Sequence, residues 1–144
     1  MKVAVIGIGN ILMGDEGVGI AVVDELKRLN VKADIYDCGT MGIDILNIIA
    51  DYDKVIVVDA VKGFGKPGDV VRIRPEELKS GRIISMHDVD FISVINIAKS
   101  VMKLPEIVII GIEVERVKEG LEISESVRKA IPRAIEEIIK EIKS

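Results

Sequence analysis

The stretch KVAVIGIGNILMGDEGVGIAVVDELKRL, running from Lys2 to Leu29, sets the fold class. Lys2 to Gly9 opens it as an apolar run ending in glycine, the pattern of a strand buried on both faces of a parallel sheet. A loop follows. Gly17 to Leu29 then carries apolar residues at helical spacing, Val18, Val22 and Leu26, with Ala21 and Val23 beside them. Strand, loop and helix in this order begin a β-α-β arrangement, and the rest of the chain continues it.

Lys32 to Tyr36 reads as strand two, ending in Asp37-Cys38-Gly39-Thr40, and Gly42 to Ala50 as a short helix with Ile45, Leu46, Ile48 and Ile49. Lys54 to Val58 is strand three, ending at Asp59. The segment from Lys62 to Gly68 is rich in Gly and Pro and too short for a crossover helix. The strand it feeds, Asp69 to Arg74, is therefore expected to run antiparallel. Asp88 or Asp90 caps a helix reaching about Met102, Pro105 stops it, and strand five follows. Ser124 caps the last helix, with Glu125 in its first turn, and Pro132 predicts a kink or two shorter helices meeting there. The whole, 1–144, reads as one three-layer α/β/α domain around a mostly parallel sheet.

Composition excludes several function classes. Hydrophobic residues make up 49% and mean hydropathy is +0.36, but the apolar runs are far shorter than the ~20 residues of a spanning helix. The N-terminus lacks a signal-peptide cleavage pattern: Gly7, Gly9 and Asn10 interrupt the apolar run, and Asp15-Glu16 follows. A cytoplasmic protein is expected, and one cysteine, which allows no internal disulfide, agrees. Net charge is −4 without a basic block, and aromatics are 3%, so neither phosphate neutralisation nor base stacking is provided for and no nucleic-acid partner is expected. The chain has no Gln and is 31% charged, a bias shared with thermophilic proteins.

Ligands of open α/β sheets bind beyond the carboxyl ends of the parallel strands. The loops after strands one, two and three carry Asp15-Glu16, Asp37 and Asp59, and the only histidine, His87, sits in Ser85-Met86-His87-Asp88. Any one of these residues has an ordinary structural use as a turn or cap. Four loops delivering carboxylates and an imidazole to one edge is what no single turn requires. It makes an oxygen-rich site for a divalent metal or for acid–base work.

These residues resemble a known family. Gly7-Ile8-Gly9-Asn10-Ile11-Leu12-Met13-Gly14-Asp15-Glu16-Gly17-Val18-Gly19 is similar to the opening signature of the hydrogenase maturation endopeptidases. Asp37-Cys38-Gly39-Thr40 resembles their Asp-x-Gly-Thr segment, Val57-Val58-Asp59-Ala60 their third-strand terminus, and Ser85-Met86-His87 their Ser-x-His. Gly111-Ile112 and the Ser124 helix match their C-terminal end. The resemblance implies a twisted five-stranded, phosphorylase/hydrolase-like sheet with one antiparallel strand. It implies an aspartic-type endopeptidase that removes the C-terminal tail of a nickel-loaded hydrogenase large-subunit precursor. Glu16, Asp59 and His87 would contact nickel, which arrives with the precursor and is not a resident cofactor. Asp37 would be a further catalytic acid beside Glu16 and Asp59. Two positions depart from the family pattern: Cys38 replaces a small residue, and Glu113-Val114-Glu115 stands where Pro-Glu is common.

Other readings fit less well. A dinucleotide fingerprint wants a third glycine where Leu12 stands, and Asp15-Glu16 would oppose a pyrophosphate at the helix start. A phosphoacceptor receiver wants a lysine after strand five, where Ile112-Glu113-Val114 stands. A cysteine peptidase using Cys38 and His87 is permitted by the single cysteine and single histidine, and Ser85 as nucleophile to His87 fits less well.

Overall fold

The computed structural model describes residues 1–40, 45–77 and 95–144. Strand β1 (Val3–Ile8) leads through a 3-10 turn, Gly14–Gly17, into helix α1 (Val18–Leu26). Strand β2 (Asp34–Gly39), helix α2 (Ile45–Ile49), strand β3 (Lys54–Val61) and strand β4 (Val70–Ile73) follow. A helical turn at 95–98 (α3) precedes strand β5 (Glu106–Glu113), and α4 (Glu125–Arg128) and α5 (Ile131–Lys143) complete the chain.

The five strands form one sheet in the order β2-β1-β3-β5-β4. β1, β2, β3 and β5 are parallel, and β4 alone runs antiparallel, against β5. This is the expected architecture. The Gly- and Pro-rich link from β3 does not lead β4 back beside β3. It carries the chain past β5's place, so that β5 inserts between them. Pro132 lies in the first turn of α5, where its missing N–H costs nothing, and the chain breaks into two helices just before it.

Alternation along the strands divides the core in two. Val3, Val5, Ile56, Val58, Val108 and Ile110 face α1 and α5, while Ala4, Ile6, Val55, Val57, Ile107 and Ile109 face α2 and α3. β3 is buried at every position, as a central strand covered on both faces must be. Among the described residues no helix is long and apolar enough to cross a membrane.

The amino ends of the strands are fastened by charge. Lys54, at the start of β3, is buried, and its ammonium donates to the Glu141 backbone oxygen and the Ser144 hydroxyl, both at 2.8 Å. It also lies 2.8 Å from a Glu141 carboxylate oxygen, while Arg72 of β4 pairs with the other. Burial pushes the Glu141 carboxyl up, but Arg72 and Lys54 together outweigh this and hold it below its ordinary value of 4.5. The pair ties α5 to β3 and β4 at once.

Glu141→Ala strands the Lys54 ammonium in the core, and urea unfolding should show a loss of about 3–5 kcal/mol. Because the folded carboxyl titrates lower than the unfolded one, its contribution is complete above the ordinary value of 4.5 and fades as pH falls through the lowered one. Glu141→Gln should therefore flatten the acid limb of stability against pH; an unchanged limb would remove this pair from the account.

Candidate functional site

Close backbone approach builds the carboxyl edge of the sheet. A Cβ placed on Gly19, in the first turn of α1, would lie 2.4 Å from the Val58 oxygen and 2.6 Å from the Ile8 oxygen. Helix α1 can therefore rest on the last peptides of β1 and β3 only without a side chain there. Gly9 has φ +143°, and a Cβ on it would meet the Glu16 oxygen at 2.1 Å. Both glycines belong to the Gly7–Gly19 motif, and they set the turn Gly14–Gly17 down against the end of the sheet.

That turn carries Glu16, and it contacts β3, which carries Asp59; each residue is only 8% exposed. Asp59 is not in a loop after its strand, as the sequence suggests. β3 continues to Val61, because β5 pairs with it as far as Glu113, and Asp59 lies opposite Gly111. One Asp59 carboxylate oxygen accepts from the Ala60 N–H at 2.8 Å.

Asp37 reaches the same edge on the other side of β1. It pairs with Gly7, which on its opposite side pairs with Val58, so Asp37 and Asp59 stand about 10 Å apart, two strand spacings. Asp59 is in phase with Val55 and Val57, on the α2 side, whereas Asp37 is in phase with Ile35, on the α1 side. The register slips after Gly7, so that Ile8 pairs with Gly39 and Cys38 is the extra residue of a bulge. Asp37 accepts the Gly39 N–H at 3.2 Å and is exposed. It borders a cleft of about 300 Å³ with Asn10, Ile11, Leu12, Ile20 and Thr40.

Asp15 is the residue whose role the sequence does not disclose. It is fully buried, and its carboxylate turns into the segment after β5. It accepts the backbone N–H groups of Glu115 at 2.9 Å, Arg116 at 2.7 Å and Ser124 at 2.7 Å, and the Ser124 hydroxyl at 2.9 Å. Burial pushes its carboxyl up, yet these bonds outweigh it and hold the group below the usual carboxylate value. Ser124 occupies the expected cap position of α4, but its side chain makes no cap bond there because it is committed to Asp15. Glu113 is likewise committed: its carboxylate accepts the N–H groups of Gly63 at 2.9 Å and Phe64 at 2.8 Å, fixing the loop after β3.

His87 and Ser85 lie outside the described residues, and so does the grouping of His87 with Glu16 and Asp59. Among the described residues no three His, Cys, Asp or Glu side chains are placed to hold a metal ion. Cys38 is buried, and burial, aided by the Asp37 charge, pushes its thiol up to about 11. At neutral pH it is a packed, protonated thiol and not a nucleophile.

Comparison with known proteins supplies the family. The sequence model for hydrogenase maturation proteases matches residues 20–141. A putative hydrogenase maturation protease of Methanocaldococcus jannaschii is 34% identical over 152 aligned positions, covering 98% of this chain and 96% of that protein. The hydrogenase maturating endopeptidase HybD of Escherichia coli superposes with a TM-score of 0.89 at 26% identity, covering 99% of this chain and 93% of that one. The [NiFe] hydrogenase maturation protease HybD of Thermococcus kodakarensis gives 0.82 at 27% identity, covering 99% of both.

Two outcomes test this geometry. Cys38 should resist iodoacetamide at pH 8 in the folded protein and react promptly in urea; rapid native labelling would contradict its burial. Gly19→Ala should destabilise the protein by about 1–3 kcal/mol through overpacking, read as a lower urea midpoint.

Proposed function

This chain belongs to the hydrogenase maturation protease family, and we propose that it is the endopeptidase that removes the C-terminal extension of a hydrogenase large-subunit precursor already loaded with nickel. The nickel is the substrate's cargo. Glu16 and Asp59, together with His87, contact it, and it serves as the recognition element. One observation carries this reading: two nearly buried carboxylates, Glu16 and Asp59, come from neighbouring elements at the carboxyl edge of the sheet. Carboxylate oxygens at such an edge suit a divalent cation as donors. A loaded precursor brings that cation and an empty one does not, so engagement is conditional on loading. The [NiFe] in the name of the Thermococcus kodakarensis relative accords with nickel as the metal.

Asp37 is the proton acceptor in this reading, which makes the peptidase aspartic in type. Its exposed carboxylate takes a proton from a water that attacks the scissile carbonyl, and the proton then passes to the leaving amine as the C–N bond breaks. The encounter takes place in the cytoplasm.

The test follows the mass of the precursor's C-terminus after mixing with this protein, with and without nickel in the precursor. A short tail should be lost only from the loaded form. Glu16→Ala and His87→Ala should abolish the loss. Asp37→Asn should slow it by about 10²–10⁴ while the loaded precursor still binds. Equal cleavage of the empty precursor would refute nickel recognition, and full activity of Asp37→Asn would refute Asp37 as base.

A further inference from the structure

We propose that Asp15 is a positioning residue: its buried carboxylate clamps the Gly14–Gly17 turn to the segment after β5 and so fixes where Glu16 stands. The inference rests on the reading of Glu16 as a site residue and extends it to a neighbour with no access to substrate.

The turn that presents Glu16 has four residues, too few to hold a shape by internal bonds alone. Within it the Glu16 N–H donates to the Met13 oxygen at a long 3.3 Å, and the Val18 N–H donates to the Asp15 oxygen. More bonds come from outside it. All four donors on the Asp15 carboxylate come from Glu115, Arg116 and Ser124, on the segment between β5 and α4. The backbone repeats the link: the Gly14 N–H donates to the Gly120 oxygen at 2.9 Å, the Gly120 N–H to the Leu12 oxygen at 2.8 Å, and the Asp15 N–H to the Arg116 oxygen at 3.3 Å. Gly14, at φ +60°, fits this seat, since a Cβ would lie 3.1 Å from the Lys118 oxygen. From below, Gly9 meets the Glu16 peptide itself. Glu16 is thus held between the end of β1 and a loop about a hundred residues later in the chain.

Only a carboxylate meets this demand. Four donors engage both of its oxygens, three on one and one on the other, and it carries no proton of its own to clash with them. The amide of Asn would present an NH₂ group to N–H donors, and the turn would have to shift. With no exposed atom, Asp15 acts on the reaction only through Glu16.

The test is a double-mutant cycle on cleavage of the nickel-loaded precursor, with the rate at saturating precursor and the precursor affinity measured separately. Asp15→Asn should lower that rate about a hundredfold, the scale of effect from a group misplaced by roughly 1 Å. Ser124→Ala, which removes one donor and leaves the carboxylate, should lose less in the same direction. Glu16→Gln keeps an oxygen donor and should retain measurable activity. In that background Asp15→Asn should add less than about a twofold loss, because the residue it positions has already been altered. Losses that multiply in full would show that Asp15 does not work through Glu16 and would overturn the proposal. If Glu16→Gln alone leaves the rate unchanged, the assignment of Glu16 fails, and the positioning role falls with it. Should Asp15→Asn fold poorly by circular dichroism, the Ser124→Ala and Glu16→Gln cycle is read by the same criterion.

Discussion

The structure depends on a contact in which no side chain takes part: the first turn of α1 lies against the Ile8 and Val58 carbonyls with Gly19 between them. Helix and strand packed through ordinary side chains stay roughly 10 Å apart, the usual distance between layers. Here the backbones touch. The cost falls on the unfolded chain, since each glycine has more freedom to lose on folding. In return, the turn before α1 stands directly over the ends of β1 and β3, and an acid placed in that turn becomes a neighbour of an acid in β3. Replace the glycines and the same residues would still be present in the sequence, but no longer together.

This explains what could and could not be read from the residues. Strands β1, β3 and β5 announce themselves because a central parallel strand is apolar on both faces. The two-helix C-terminus is legible because Pro132 tolerates only the first turn of a helix. The reversed β4 is legible because the segment from Lys62 to Gly68 has no length for a crossover. The end of β3 was not legible: Asp59 resembles a strand terminator, and only pairing with β5 carries the strand on to Val61. Nor could local sequence show that Ser124, in a sound cap position, turns its hydroxyl to an acid 109 residues away. Its partner Asp15 is adjacent to Glu16 and chemically almost identical to it. One is buried under four donors and the other keeps a little exposure, a difference that exists only in three dimensions.

The sequence places Asp37 and Asp59 at one edge of the sheet but says nothing of how they stand there. Register puts Asp37 and Asp59 on either side of β1, and alternation sends their side chains towards different faces. The bulge at Cys38 belongs to the same arrangement, since it frees the end of β2 to turn away beside the cleft. The departure at Glu113 proves to be a loop anchor, spent on holding the chain after β3.

The Lys54–Glu141 pair sits at the amino pole of the sheet. Lys54 and Asp59 are five residues apart on one strand, roughly 16 Å. That exceeds the ~10 Å within which substitutions usually influence one another. Selection can therefore adjust heat resistance at one pole and substrate choice at the other with little interference. Relatives living at very different temperatures need not trade one for the other, and a laboratory library that randomises the amino-end cluster can be screened for endurance alone.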